Sequence, residues 1–466
     1  MSTPPTARKP VLGLSISSSL ALRNFFQAGI VEALQEYYDV HVFASPAIAR
    51  TLSNLGLDAM VPISVVDPGA EPTQWKLFRQ IKKKVHLEGR ASATEAIWER
   101  FQIRPAYQRI GGAIVKRLIR LFDAAFLYSW LDRIDLWINS DRRYVALIRE
   151  KGVAVYFATH ATSYWEESML RSAIAAGIPR VYMVLSWDHL SSKVLLHENF
   201  GRILVWNRHT RNELLETYPR YRPEQVEIVG IPQYDAFLRP SKHTYASWCA
   251  QYGLDPAKRT ILFSTMPQVR HDQQHVILED LLKEIVAGRE VPSDLQVLIK
   301  CHPFDSFSGY TELVGRYPVA IRPTGLKPGQ EFDEWVPSAT EVDESRDCLY
   351  FCTVNINIFS TVTIEAAFFD KPIIHIAYDP LPVPPGRIPC REYYNWEHFK
   401  HIVEKDASLR VHGRQELFDA IRRYTADPSV KATGRRRVVE EYIGDGLGQA
   451  ASRVAAAVAH YSSSLR

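Results

Sequence analysis

The segment NINIFSTVTIEAAFFDKPIIHIAYD, Asn355 to Asp379, reads as a buried strand that delivers Ser360, Thr361 and Thr363 to the start of a helical stretch, IEAAFF. Free amides and the positive end of a helix dipole attract an anion at such a place, and the hydroxyls add donors, so a phosphate fits. The plainer alternative is that Ser360 or Thr361 only caps the helix. Upstream, strand LQVLIK runs into Cys301, His302, Pro303 and Phe304, where the proline prevents helical continuation. A histidine at that rim, titrating near neutrality, can donate to a departing phosphate; a histidine satisfied by backbone groups in a tight turn is the competing reading.

A third loop follows strand TILFS, which ends at Ser264 and Thr265 and places both beside a donor; Arg270 in that loop can clamp a diphosphate or simply be a surface arginine. His271 and His275 have the i, i+4 spacing of zinc-binding helices, but HDQQH lacks the glutamate of HExxH and no third ligand presents itself, so no metal is expected. In the first half of the chain, strand YMVLSW opens into Asp188, His189 and, further on, Lys193, while strand AVYFAT ends at His160. Asp188, or His160 in its place, is the natural general base for an acceptor hydroxyl, against the alternative of an Asx turn after a strand. Ser17 and Ser18, after the first strand, join His189 and Lys193 as candidate acceptor contacts. Neither GxGxxG nor GxxxxGK[ST] occurs, so dinucleotide and P-loop chemistry lack their usual loops.

These residues are positioned by short β-branched runs, each followed by a stretch with helical spacing, the pattern of parallel sheets covered by helices. Strands are expected at Val11 to Ile16, Val40 to Ala44, Ala154 to Ala158, Val181 to Leu185, Arg202 to Trp206 and Val226 to Val229. A second set is expected at Thr260 to Ser264, Leu295 to Lys300, Val319 to Ile321, Val354 to Ile358 and Pro372 to Ala377. The proline-bearing stretch around Pro232, Pro240 and Pro256 separates the sets, giving an N-terminal domain over residues 1–239 and a C-terminal domain over 240–466. Two such halves place a ligand cleft between the carboxyl ends of their strands.

Residues 71–140 break the alternation and read as a helical insertion. From Lys76 to Arg120 it carries twelve Lys or Arg against three Glu, interleaved with Trp75, Phe78, Trp98 and Phe101, and continues to Phe122, Phe126 and Trp130. Such a segment either rests peripherally on an anionic membrane or packs on its own domain with a solvated basic face. Over the whole chain the 466 residues carry a net charge of only +4, too mild to argue for nucleic acid, and 46% are hydrophobic, which excludes a mainly disordered protein. Five cysteines without a paired frame suit reduced thiols in the cytoplasm. No run of about 18 uncharged apolar residues suggests a spanning helix.

The segments SWDHLSSK, ILVWN with GIPQYD, KCHPFD and NIFSTVTIEAAFFDKPII together resemble GT-B type glycosyltransferases, in particular bacterial surface-polysaccharide enzymes and their relatives the CDP-glycerol glycerophosphotransferases. The His-Pro and Ser-Thr pairs are also similar to motifs of bacterial sialyltransferases and Kdo transferases. The resemblance covers roughly residues 150 to 400 and implies an α/β fold of two Rossmann-like domains facing a cleft. It further implies that His302 is the phosphate-stabilising acid, that Ser360 and Thr361 bind phosphate, and that Glu365 contacts the donor ribose. The expectation is a cytoplasmic, envelope-directed transferase that uses a CMP-, CDP- or UDP-linked sugar, inverting and metal-independent. The acceptor is a glycan or lipid-linked hydroxyl. A CDP-polyol phosphotransferase, a nucleotide-sugar epimerase and a non-catalytic membrane scaffold are the alternatives. The helical insertion and HDQQH match no pattern of the family.

Overall fold

The computed structural model describes residues 9–67, 69–102, 106–139, 141–159, 163–193, 195–196, 200–303, 305, 308–323 and 338–465. The first half forms a seven-stranded sheet from β1 (Val11–Ile16), β2 (Asp39–Ala44), β3 (Ile63–Val65), β4 (Val153–Ala158), β5 (Arg180–Met183), β6 (Arg202–Val205) and β7 (Val226–Ile228), in the order β3-β2-β1-β4-β5-β6-β7. The second half forms a six-stranded sheet from β8 (Arg259–Ser264), β9 (Leu295–Lys300), β10 (Val319–Arg322), β11 (Val354–Asn357), β12 (Ile373–Ile376) and β13 (Leu409–Val411), in the order β10-β9-β8-β11-β12-β13. Every strand pair is parallel, so helices cover both faces and the central strands are buried along their length. These are two Rossmann-like domains. The strands β3 and β13, three residues each at sheet edges, are additions to the expected set.

The last helix, Ala450–Ser463, crosses back and packs on the N-terminal half against helix Ile30–Gln35, where the Tyr38 hydroxyl donates to the carbonyl of Val458 (3.1 Å). Its start is held by the linker motif GIPQYD: the Asp235 carboxylate accepts from the backbone N–H of Gly448 (2.7 Å) and Ala450 (3.0 Å). Gly230 of the same motif has φ +88°, and a Cβ there would lie 2.2 Å from the carbonyl oxygen of Gly446. Gly230→Ala is therefore expected to lower the unfolding free energy by about 2–3 kcal/mol, read from urea melts; a change below about 0.5 kcal/mol would contradict the close approach.

The insertion comprises helices Thr73–Gly89, Ala93–Phe101, Ala106–Leu121 and Ala124–Asn139. Much of its positive charge is spent internally. Lys82, 3% exposed, donates to Asp132 and lies 3.4 Å from Asp135, which also accepts from the buried Arg171 of helix Tyr164–Ala175. Lys84 reaches Glu88 and Glu95, and Lys116 reaches Glu99 at 2.9 Å. The insertion also touches the C-terminal domain, through Glu397 Oε1 on the Ala93 N–H (3.2 Å) and Trp98 against Trp396 (5.7 Å between centroids).

A buried polar chain runs through the C-terminal sheet. Asn355 Nδ2 donates to Ser264 Oγ (3.0 Å), Asn357 Nδ2 to Asn355 Oδ1 (2.8 Å) and Thr363 Oγ1 to Asn357 Oδ1 (3.3 Å). With its proton committed, Thr363 accepts from His375 Nε2 (2.9 Å), whose Nδ1 accepts from Ser408 Oγ (2.8 Å), so the ring is neutral. Burial, with Arg410 nearby, holds the His375 pKa down at about 3. Because the unfolded chain binds this proton near pH 6.5, the stability contribution is complete above that pH and is lost as pH falls toward 3. At pH 5 the loss is about 2 kcal/mol relative to pH 7. His375→Gln is expected to flatten that acid limb in urea melts, and an unchanged slope would contradict the neutral ring.

Candidate active site

The neighbouring strands β9, β8 and β11 bring His302, Thr265 and Ser360 to adjacent strand ends. The His302 backbone N–H donates to Thr265 Oγ1 (2.8 Å), the Thr265 N–H to the Lys300 carbonyl (3.0 Å), and the Asp305 N–H to the His302 carbonyl (2.8 Å), which fixes the turn after β9. Burial raises the Asp305 carboxyl above its ordinary range although Tyr310 donates to it (3.1 Å). After β11, Phe359 takes φ +45°, a conformation that costs a non-glycine residue, and its ring is locked against Phe399 (4.7 Å), Trp396 (5.0 Å) and Tyr393 (5.4 Å). That turn aims Ser360, whose Oγ accepts from the Val362 N–H (3.3 Å) at the start of the seven-residue helix Val362–Phe368.

The loop after β5 comes across from the other domain. Trp187 Nε1 donates to Thr361 Oγ1 (3.0 Å), and its indole packs edge-on to His398 (4.9 Å between centroids). The two segments singled out by sequence, SWDH and FSTVT, therefore touch. Asp188 follows directly, partly exposed, with Ser186 Oγ donating to its Oδ1 (2.6 Å).

Other expected contacts serve the fold instead. Ser264 and Thr363 are buried in the polar chain described above, and their hydroxyls are engaged there. Ser17 donates to the buried Glu166, which also accepts from the Thr159 N–H and so ties the ends of β1 and β4 together. Ser18 caps helix Ser19–Leu22 by accepting from Ala21 N–H (3.2 Å). His189 is 2% exposed. Arg270 lies between two indoles, 4.8 Å from the Trp98 ring and 5.6 Å from that of Trp396, so the insertion occupies the face expected to meet a diphosphate. His160 and the side chain of Lys193 lie outside the described residues. His271 sits 3.4 Å from Asp379, while His275 faces the Asp272 carbonyl (3.1 Å).

Beside the His302 turn opens an interdomain cavity of about 520 Å³. Its cations come from both halves: Arg23 after β1, Arg239 in the linker, Lys300 at the end of β9 and Arg322 at the end of β10. Lys300 stands 3.7 Å from Glu365, the one predicted contact that lines this cavity. Arg23 donates to Gln233, but its Nε is buried without a hydrogen-bond partner. Burial lowers its pKa while the charge of Glu365 counters that shift. Sequence reasoning missed Arg23, Gln233, Arg239 and Arg322. Gln233 stood within GIPQYD and Lys300 within KCHPFD, but Arg23 is a lone cation in SSSLALRNFFQ with nothing to mark it.

A second cavity, about 490 Å³, lies where the insertion meets helices Arg208–Thr217 and Glu397–Glu404. Arg90 crosses it, donating to the Leu190 carbonyl (3.3 Å) and standing 3.7 Å from Glu397. Burial pushes Glu213 on its wall up to about 8.

The sequence profile of the CDP-glycerol:poly(glycerophosphate) glycerophosphotransferase family matches residues 135–460, well over half of the chain. The chain belongs to this family. Among solved structures it is similar to the UDP-GlcNAc 2-epimerase of Neisseria meningitidis bound to UDP-GlcNAc, with a TM-score of 0.54 at 11% identity over 97% of this chain and 99% of that one. It is also similar to S. aureus MnaA in its co-structure with UDP, with a TM-score of 0.53 at 11% identity over 97% and 96%. The UDP-GlcNAc 2-epimerase of Methanocaldococcus jannaschii gives 0.52 at 11% identity over 97% and 99%. These likenesses establish the GT-B arrangement of the two domains. No curated protein sequence matches the chain.

Proposed function

We propose that this member of the glycerophosphotransferase family transfers a nucleotide-activated group to an acceptor hydroxyl, with the nucleotide in the interdomain cavity and a sugar as the group transferred. The observation that carries this reading is the convergence of Arg23 from one domain and Lys300 and Arg322 from the other on a single cavity beside His302. Those cations suit a diphosphate, and Glu365, on the wall of the same cavity, is the residue we assign to the ribose. In the reaction the acceptor oxygen bonds to the anomeric carbon, the carbon–oxygen bond to the diphosphate breaks, and the acceptor proton passes to Asp188. His302, with Ser360 and Thr361 as donors, stabilises the departing phosphate. Thr361 accepts from Trp187 and keeps its own O–H for an anion. The second cavity, next to the loop that carries Asp188, is where an acceptor headgroup fits.

Family membership favours a second reading, transfer of a polyol phosphate from CDP-glycerol or CDP-ribitol. Incubation with β-phosphorus-labelled nucleotide sugars and CDP-glycerol, with a bacterial glycolipid extract as acceptor, separates the readings. Sugar transfer leaves the label in released nucleoside diphosphate; movement of label into the acceptor establishes the second reading. Conversion of a nucleotide sugar with no acceptor present would overturn both.

A further inference from the structure

The second cavity, of about 490 Å³, has the volume of a small-molecule site and is walled by both domains as well as by the insertion. Three polar atoms of its wall residues are buried without a hydrogen-bond partner among the described residues: His86 Nε2, Glu213 Oε2 and Glu397 Oε2. Buried polar atoms left in this way cost stability until a ligand or water meets them. Burial holds the His86 ring down at about 3 and lifts the Glu213 carboxyl to about 8, so both are uncharged at neutral pH. The cations on the wall are already engaged: Arg90 donates to the Leu190 carbonyl (3.3 Å) and faces Glu397 (3.7 Å), and Arg220 donates to the Ala125 carbonyl (3.3 Å). Against these two stand the carboxylates of Asp123, Glu216 and Glu397, so negative charge is in excess even with Glu213 protonated. A phosphate only accepts hydrogen bonds and is repelled there, whereas a hydroxyl both donates to a carboxylate and accepts from a carboxyl or imidazole N–H. One side of the cavity is aromatic, with His86 stacked on Tyr218 (4.8 Å between centroids, 15° between planes) and Tyr128 at 5.3 Å. The wall is also fastened to the loop that carries Asp188 at two points, Leu190 through Arg90 and Ser191 through Glu213.

We propose that this cavity is a subsite for an uncharged sugar ring of the acceptor, and not for a glycerophosphate unit. Ring hydroxyls donate to Glu216 and Glu397 and exchange hydrogen bonds with Glu213 and His86, while the C–H face of the ring packs on the aromatic side. The inference rests on the reading of this cavity as the acceptor site and adds the chemistry that enters it.

The test is saturation-transfer difference NMR on the full chain with the methyl glycosides of glucose, galactose, mannose and N-acetylglucosamine. Each is used at about 10 mM, which suits the millimolar affinity of a single small ring. At least one glycoside is expected to give difference signals that an equal concentration of glycerol 3-phosphate leaves in place. Ala125→Trp, which fills the cavity from an exposed wall position, and Glu216→Arg, which reverses an exposed carboxylate, are each expected to cut those signals by about fivefold or more, at an unchanged melting temperature. No signal from any glycoside with the wild type, signals that survive either variant, or signals displaced by glycerol 3-phosphate overturns the proposal. Sugar binding is read without donor or turnover, so its failure is separate from any failure of the nucleotide to stabilise the protein through the first cavity.

Discussion

His302→Ala is expected to cut turnover about 10²–10³-fold while leaving the unfolding midpoint within experimental error. The turn after β9 is fixed through the backbone: the His302 N–H donates to Thr265 Oγ1 (2.8 Å) and its carbonyl accepts from the Asp305 N–H (2.8 Å). The residues on either side, Cys301 and Pro303, line the cation-bearing cavity together with Lys300. A proton donor at that rim acts as charge builds on the departing phosphate, so its loss falls mainly on kcat rather than on KM. Turnover within about threefold of wild type would remove His302 from the mechanism.

The second large effect concerns the joint between the domains. Trp187→Ala is expected to cost about 3–5 kcal/mol of unfolding free energy, because a buried indole in contact with His398, Phe399 and Tyr442 would leave a cavity at the interface. Trp187→Phe keeps most of the packing and loses the bond to Thr361 Oγ1, for about 1 kcal/mol. Guanidinium melts of both variants separate the two contributions. A cost below about 1 kcal/mol for the alanine variant would show that the interface closes without this contact. Since Trp187 immediately precedes Asp188 and holds Thr361, both variants are also expected to weaken donor-dependent turnover.

Much of this architecture was legible in the sequence because parallel strands are buried on both faces and read as continuous apolar runs. The strands β3 and β13 were not, since three half-exposed edge residues make no pattern. The return of helix Ala450–Ser463 to the N-terminal domain rests on contacts more than 200 residues apart, such as Asp235 with Gly448, which local periodicity does not encode. At the site, the rule that chemistry collects at strand ends pointed to His302, Thr265, Ser360 and Asp188, but not to Trp187, whose indole makes the contact with Thr361. The same rule misassigned Ser264, because a shift of one position along a strand end turns a side chain from the rim into the sheet, and Thr363, which faces inward from the first turn of helix Val362–Phe368 to meet Asn357. Charge counting could not tell that Lys82 is buried against two carboxylates while Arg117 is exposed; that distinction is made only by packing.

The central claim is that the interdomain cavity holds the nucleotide of an activated donor. Its most direct test is the thermal unfolding of the purified protein with CMP, CDP, UDP, GDP and their sugar or glycerol conjugates, repeated for Arg23→Ala, His302→Ala and Ser360→Ala. The account predicts that one nucleotide series stabilises the protein selectively, by about 2.7 kcal/mol at a hundredfold excess over its dissociation constant, and that all three variants weaken the effect. Absence of stabilisation by any of these compounds at millimolar concentration, or stabilisation that the Arg23→Ala variant leaves intact, would contradict it.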